Sequence, residues 1–308
     1  MIARIAGIVA LSPSIKRIAL TSTDGALLPP AAAGAHIVLT IPGPARSWKN
    51  AYSLVSPPGA RQAYEIIVRR VEKSRGGSAW LHGHAQIGQE IDISLPANLF
   101  PIAKNAQKHF LLSAGIGITP FLSYLPAFRA ENAPFEWHHC SRPEDVSAFA
   151  ALLPDQKNIT LHTGRNMLNL PKILARQKLN THIYVCGPAP FMDAAIATAQ
   201  NLGFPKPKIH SESFGGPTGG APFRVRLARA GLTLDVGPEE SLLDALEAAG
   251  LAPPSLCRGG ACGECELPVL AGTPEHHDHY LPPEIRAAGT AIMTCVSRAQ
   301  TPELVLDF

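Results

Sequence analysis

A chain of 308 residues, 46% hydrophobic and 17% charged, has enough apolar material for two or three soluble domains. It has no run of about eighteen uncharged apolar residues, which excludes a membrane-spanning helix, and Met1-Ile2-Ala3-Arg4 leads into a polar-interrupted pattern without a signal-peptide core. The net charge of +3 hides +9 over residues 1–221 and −6 over 222–308, and no basic stretch interleaved with aromatics suggests a nucleic-acid partner.

Residues 1–103 read as short strands. Arg4–Val9, Ile15–Leu20, His36–Ile41, Tyr64–Arg69 and Ile91–Leu95 are alternating or β-branched and are separated by Pro- and Gly-rich turns, the pattern of a small antiparallel barrel. Two stretches within it carry chemistry. Asn50-Ala51-Tyr52-Ser53-Leu54 places a phenol and a hydroxyl together. Arg75-Gly76-Gly77-Ser78 joins a guanidinium, two glycines and a hydroxyl ahead of an expected helix, a combination that suits a phosphate and that also occurs in ordinary loops.

Between 104 and 214 the period changes. Strands expected at Lys108–Ser113, Phe135–Cys140, Asn158–His162 and Thr181–Cys186 alternate with helical patterns, including one through Met192, Ala195, Ile196 and Ala199 that stops at Gly203. This predicts a parallel α/β sheet. A nucleotide is expected at the carboxyl ends of such strands. Gly115-Ile116-Gly117-Ile118-Thr119-Pro120 follows the first of them, with Thr119 read as an N-cap and Pro120 as the first helical residue. Cys186-Gly187-Pro188 ends another, and Cys186 reads equally as a small buried hydrophobe. After the second strand, Ser141 and Arg142 precede Glu144 and Asp145. Either acid suits a ribose 2′-hydroxyl, whereas Arg142 suits a 2′-phosphate.

Residues 215–222, rich in Gly and Pro, read as a linker, and 223–308 as a third domain. Strands at Arg224–Leu227 and Leu232–Val236 and a helix over Leu242–Ala249, stopped by Gly250, predict a small sheet grasping a helix. Cys257, Cys262, Cys265 and Cys295 follow the C-x4-C-x2-C plus distant Cys spacing of a plant-type 2Fe-2S cluster. Gly259, Gly260 and Gly263 suit a loop that turns its N–H groups inward. Zinc is the alternative, although it usually takes two separated C-x2-C pairs or a Cys/His mixture. His276, His277 and His279 lie in a Pro- and Asp-containing connection without ligand spacing.

Taken together, Tyr52-Ser53-Leu54, Arg75-Gly76-Gly77-Ser78, Gly115–Pro120, Cys186-Gly187-Pro188 and the four cysteines resemble the phthalate dioxygenase reductase family over essentially the whole chain. The resemblance implies a multidomain chain. It has an antiparallel flavin β-barrel (1–103), an NAD-binding α/β domain (104–214), a linker (215–222) and an α+β β-grasp ferredoxin domain (223–308). It implies FMN, with FAD as the alternative because Asn50 stands where the family usually carries Arg. Tyr52, Ser53 and Leu54 would line the flavin, and Arg75, Gly76, Gly77 and Ser78 would hold its phosphate. Gly115, Gly117, Thr119, Pro120, Ser141, Arg142, Cys186, Gly187 and Pro188 would bind the nucleotide, NADH rather than NADPH. Ser53, Thr119, Cys186 and Phe214 would stand beside the hydride transfer, and the four cysteines would ligate the cluster. The family passes electrons to a Rieske-type oxygenase; a diiron monooxygenase, a cytochrome P450, or a non-redox zinc module are the competing readings. A monomeric, cytoplasmic protein without membrane or nucleic-acid partners is expected.

Overall fold

The structure, a computed structural model, describes residues 1–43, 47–71, 76–164, 168–214 and 219–308. The chain divides into two compact units, Met1–Glu212 and Ser213–Phe308.

The first unit begins with six antiparallel strands: β1 (Ile2–Ser12), β2 (Ile15–Ser22), β3 (His36–Ile41), β4 (Trp48–Ser53), β5 (Tyr64–Arg69) and β6 (Glu90–Ile93). Their order is β4-β3-β6-β1-β2-β5. A bridge between Leu54 and Ile66, with Val55 N donating to Glu65 O at 2.8 Å, ties the two edges and curls the sheet into a barrel. Period-two alternation explains the filling: Ile5, Ile18, Ile37, Leu39, Ile41, Ile66 and Ile91 point into one core. The helix α1 (Gly77–Gly83) lies between β5 and β6 and buries Leu81 in that core.

Five parallel strands follow: β7 (His109–Ala114), β8 (Phe135–Ser141), β9 (Ile159–Thr163), β10 (His182–Cys186) and β11 (Ile209–Glu212). The helices between them are α2 (Thr119–Glu131), α3 (Val146–Ala150), α4 (Leu170–Leu174) and α5 (Ala189–Asn201). The order β11-β10-β7-β8-β9 reverses direction between β7 and β10. Each face has its own core. Leu111, Trp137 and Tyr184 pack with α2 residues Phe121, Tyr124 and Phe128, while Phe110, Leu112 and Val185 pack with Met192, Ala195 and Ala199 of α5.

The second unit holds β12 (Phe223–Leu227), β13 (Leu232–Val236), α6 (Leu242–Ala248), β14 (Glu266–Ala271), β15 (Pro274–Glu275), α7 (Pro283–Ala288), β16 (Ala291–Met293), β17 (Arg298–Ala299) and β18 (Glu303–Leu306). Its mixed sheet, β13-β12-β18-β14-β16, pairs β12 parallel to β18. Leu242 and Leu246 of α6 fill the core of that sheet, and a reciprocal Ser241–Asp244 capping box starts the helix. Among the described residues no helix is long and apolar enough to cross a membrane.

Four histidines are buried in the first unit: His36, His109, His138 and His139. Desolvation holds His36 and His109 down to about 4 and His139 to about 3, so these three are neutral in the folded protein at pH 7. The unfolded chain binds these protons near pH 6.5, so stability is complete above that value and falls as pH drops toward 4. We expect urea unfolding to report a loss of up to about 2 kcal/mol per histidine between pH 7 and pH 5. A flat profile over that window would show that the imidazoles are not held neutral.

Candidate functional site

The reversal point of the parallel sheet concentrates the expected nucleotide residues. Gly115, at φ +56, is the first residue after β7, and Cys186 ends β10 beside it, in register with Ser113 on one side and Glu212 of β11 on the other. Gly117 lies against this strand end: a Cβ there would stand 2.3 Å from the Cys186 carbonyl oxygen. A Cβ on Gly187 would meet Ala114 at 3.1 Å. The two glycine turns therefore close on each other through bare backbone. Thr119 is not an N-cap. Gly115–Ile118 is a 3₁₀ turn that runs into α2 without a break, and the Thr119 hydroxyl donates backward to Ile116 O at 3.0 Å. Pro120, in the first turn of α2, is buried.

Cys186 is fully buried, which pushes its thiol well above the ordinary range, with the Glu212 charge adding to the effect. Glu212 is the residue sequence reasoning missed. Ile209-His210-Ser211-Glu212 has no strand-like alternation, so only pairing with β10 reveals it. Pro188 caps α5. At the end of β8, Ser141 is buried and donates to Arg142 O at 2.9 Å, while Arg142 and Glu144 are exposed and 3.8 Å apart. Asp145 is withdrawn from this group, accepting instead from Arg69 and from Ser14 Oγ.

In the barrel, Tyr52 packs against the core and its hydroxyl accepts from Asn50 Nδ2 at 3.3 Å; burial pushes the phenol up to about 12. Ser53 is buried and, among the described residues, its Oγ has no hydrogen-bond partner, while Leu54 donates its N–H to Ala35 O. A buried hydroxyl without a protein partner is a hydrogen-bonding group left for a water or a ligand to satisfy. Gly76, at φ +140, lies under the Trp48 ring, and Gly77 under the Asn50 amide, where Cβ atoms would come within 2.1 Å and 2.4 Å. Ser78 is buried and accepts from Val71 N at 3.2 Å. Arg75 lies outside the described residues. Phe214, 42% exposed, belongs to the second unit.

The cysteine loop in that second unit is held from outside and open within. Arg258, at φ +52, turns its guanidinium away from the sulfurs onto Asp244 and Glu247 of α6, each at 2.9 Å. Gly259 N and Ala261 N point at Cys257 Sγ from 3.3 and 3.4 Å. A hydrogen bond from Cys262, joined by these N–H donors, brings the Cys257 thiol down to about 5 against desolvation. Cys265 is lowered by a hydrogen bond from Cys295, which is raised in turn. Among the described residues no three His, Cys, Asp or Glu side chains converge on a single ion. The C-x4-C-x2-C spacing completed by Cys295 suits two irons, whereas a structural zinc usually takes two separated C-x2-C pairs. The segment around His276–Leu281 forms the loop's outer wall. Gly260 would clash with Asp278 and Gly263 with the Tyr280 ring if either carried a side chain, and His279 N donates to Gly260 O at 2.9 Å.

A closed barrel, a parallel sheet with a glycine-lined reversal point and a four-thiol loop define an iron–sulfur oxidoreductase. The family model for the 2Fe-2S iron-sulfur cluster binding domain matches residues 225–300. The chain is 43% identical to the heme-dependent oxidative N-demethylase beta subunit of Ectopseudomonas mendocina, over 99% of this chain and 97% of that protein. It is 37% identical to the carnitine monooxygenase reductase subunit of Escherichia coli, over 96% and 95%. The solved structure of phthalate dioxygenase reductase, described as a modular structure for electron transfer from pyridine nucleotides to [2Fe-2S], superposes with a TM-score of 0.86 at 33% identity, covering 100% and 98%. The chain belongs to the phthalate dioxygenase reductase family, oxidoreductases that serve as reductase components of oxygenase systems.

The contact at Gly117 gives a direct test. We expect Gly117→Ala to lower stability by about 1–3 kcal/mol, since the added methyl meets backbone that cannot yield. Gly83→Ala, where a Cβ meets nothing within 4 Å, should leave stability unchanged within about 1 kcal/mol. Equal melting temperatures for the two variants would show that the turns do not close on each other.

Proposed function

We propose that the chain takes hydride from NADH and delivers electrons one at a time, through a flavin and its 2Fe-2S cluster, to a Rieske-type oxygenase. The observation that carries this reading is the cysteine loop itself, with Cys257, Cys262, Cys265 and Cys295 inside the matched 2Fe-2S domain and the N–H groups of Gly259 and Ala261 aimed at the Cys257 sulfur. In this reading the functional modules are 1–103, 104–214 and 223–308, joined by 215–222. A flavin, FMN in this reading, converts two-electron hydride chemistry into single-electron transfer.

The chain's own residues bind and orient. Tyr52, Ser53 and Leu54 line the ring, with the Ser53 hydroxyl supplying a hydrogen bond that the folded protein leaves unused. Gly76, Gly77 and Ser78, with Arg75, hold the phosphate, and the Asn50 amide over Gly77 reaches the same place. Gly115, Gly117, Thr119, Pro120, Ser141, Arg142, Cys186, Gly187 and Pro188 form the nucleotide site. Glu144 is the exposed acid beside Arg142 that suits a ribose 2′-hydroxyl, which favours NADH. Phe214 covers the flavin until the nicotinamide arrives.

The direction of flow follows from potentials. Plant-type clusters lie near roughly −400 mV and Rieske centres above about −150 mV, so each electron moves downhill by roughly 6 kcal/mol. All six cysteines are free, in keeping with a reducing cytoplasm. A haem-containing partner is the second reading, because the 43% relative is a subunit of a heme-dependent demethylase.

Anaerobic addition of NADH to the purified protein should bleach overlapping flavin and iron–sulfur absorption, with about two irons per chain and FMN released on denaturation. A colourless, iron-free protein that stays inert after cluster reconstitution and flavin addition would sink the reading. NADH consumption coupled to product formation should then appear with a Rieske-type terminal component. Coupling only to a haem-containing one would replace the partner assignment.

A further inference from the structure

The glycine turn after β7 supplies N–H groups but no charge. From Phe110 to Phe128, across the strand end, the turn and most of α2, the sequence contains no Lys or Arg. A pyrophosphate carries two negative charges, and N–H groups alone leave them without a counter-ion. Among the described residues, a cation that reaches this turn comes from the barrel. Arg69 is the last residue of β5, and a Cβ on Gly115 would lie 3.2 Å from Arg69 Nη1.

One edge of the Arg69 guanidinium is already fixed. Nη2 donates to Asp145 Oδ2, and the carboxylate, whose side chain is 2% exposed, also accepts from Ser14 Oγ at 3.1 Å. Two barrel residues therefore grip one acid of the parallel-sheet half. The Arg69 side chain keeps 19% exposure, and among the described residues its Nη1 has no acceptor. Burial and then the nearby Arg142 charge hold its pKa below the ordinary value, although a guanidinium stays protonated throughout. A guanidinium clamped on one edge loses little freedom when its other edge meets an oxyanion.

We propose that Arg69 is a nucleotide-positioning residue: held by Asp145, it presents Nη1 beside Gly115 to the pyrophosphate of the pyridine nucleotide. The inference rests on the reading that the nucleotide lies where β7 and β10 end. It assigns Asp145 to aiming this cation and leaves ribose recognition to Glu144 and Arg142.

The test uses the flavin- and cluster-loaded protein with an artificial electron acceptor, comparing NADH with reduced nicotinamide mononucleotide, which lacks the pyrophosphate linkage. Arg69→Gln should raise KM for NADH and Kd for NAD+ about ten- to hundredfold. kcat at saturation and KM for the mononucleotide should stay within about twofold, with iron and flavin content as in wild type. Arg69→Lys should recover part of the loss. Asp145→Asn keeps the cation, so it should lower the melting temperature with a smaller rise in KM. Unchanged NAD+ affinity in Arg69→Gln, equal loss for NADH and the mononucleotide, or equal KM changes in Arg69→Gln and Asp145→Asn would overturn the assignment and leave a structural latch. If Arg69→Gln does not fold, the Arg69→Lys and Asp145→Asn pair decides by the same comparison. A wild-type protein that NADH does not reduce would remove the nucleotide site itself, an outcome separate from any difference among the variants.

Discussion

A loop that surrounds four sulfurs cannot use its N–H groups in a ladder or a helix, because they must point inward at the charge it encloses. The segment Cys257–Cys265 obeys this constraint, and the rest of the second unit supplies the stability it forgoes. Arg258 in a left-handed conformation ties the loop to α6 through Asp244 and Glu247, and α6 is started by its own capping box. The outer wall is fixed by buried Asp278, which accepts from Tyr280 N, Leu281 N, Ser297 Oγ and Arg286. A carboxylate so fully hydrogen-bonded is a rigid post, and both loop glycines at positive φ rest on the segment it organises.

The first unit meets a different constraint by similar means. Two chain turns have to meet at the sheet's reversal point, and side chains would hold them apart. Gly117 and Gly187 let the backbone of one turn touch the backbone of the other, which brings the turns after β7 and β10 to one place. In both units glycine serves close approach, yet the energetic logic differs. In the cluster loop positive φ matters as much as space, whereas Gly117 is required by space alone.

Much of this was legible in one dimension because the governing interactions are local. Ile15–Leu20, His36–Ile41 and Tyr64–Arg69 alternate with period two, and the structure places strands there. Cluster spacing is likewise local, since three of the four sulfurs lie within nine residues. What stayed hidden depends on partners far away in sequence. β4, Trp48-Lys49-Asn50-Ala51-Tyr52-Ser53, lacks a β-branched residue and is a strand because β3 pairs with it. Thr119 and Pro120 match a helix start in isolation, but the preceding 3₁₀ turn already directs the chain into the helix. The wall of the cluster loop was equally invisible, since Gly263 meets Tyr280 only through the fold.

Asp145 shows most clearly how tertiary contact reassigns a residue. By position it is an acid near the end of the second parallel strand, where ribose is read. Its carboxylate is instead enclosed and neutralised from the barrel, by Arg69 and Ser14, residues 76 and 131 positions away in the sequence. An enclosed, paired carboxylate costs too much to separate from its cation for it to exchange partners with each nucleotide that binds. The charged groups at this strand end that can exchange partners are the exposed Arg142 and Glu144, while the buried pair ties the barrel to the sheet. A hydride donor and its acceptor must meet within a fraction of an ångström. On the proposed function, the buried Arg69–Asp145 pair, which joins the barrel to the parallel sheet, would help hold the two at that distance.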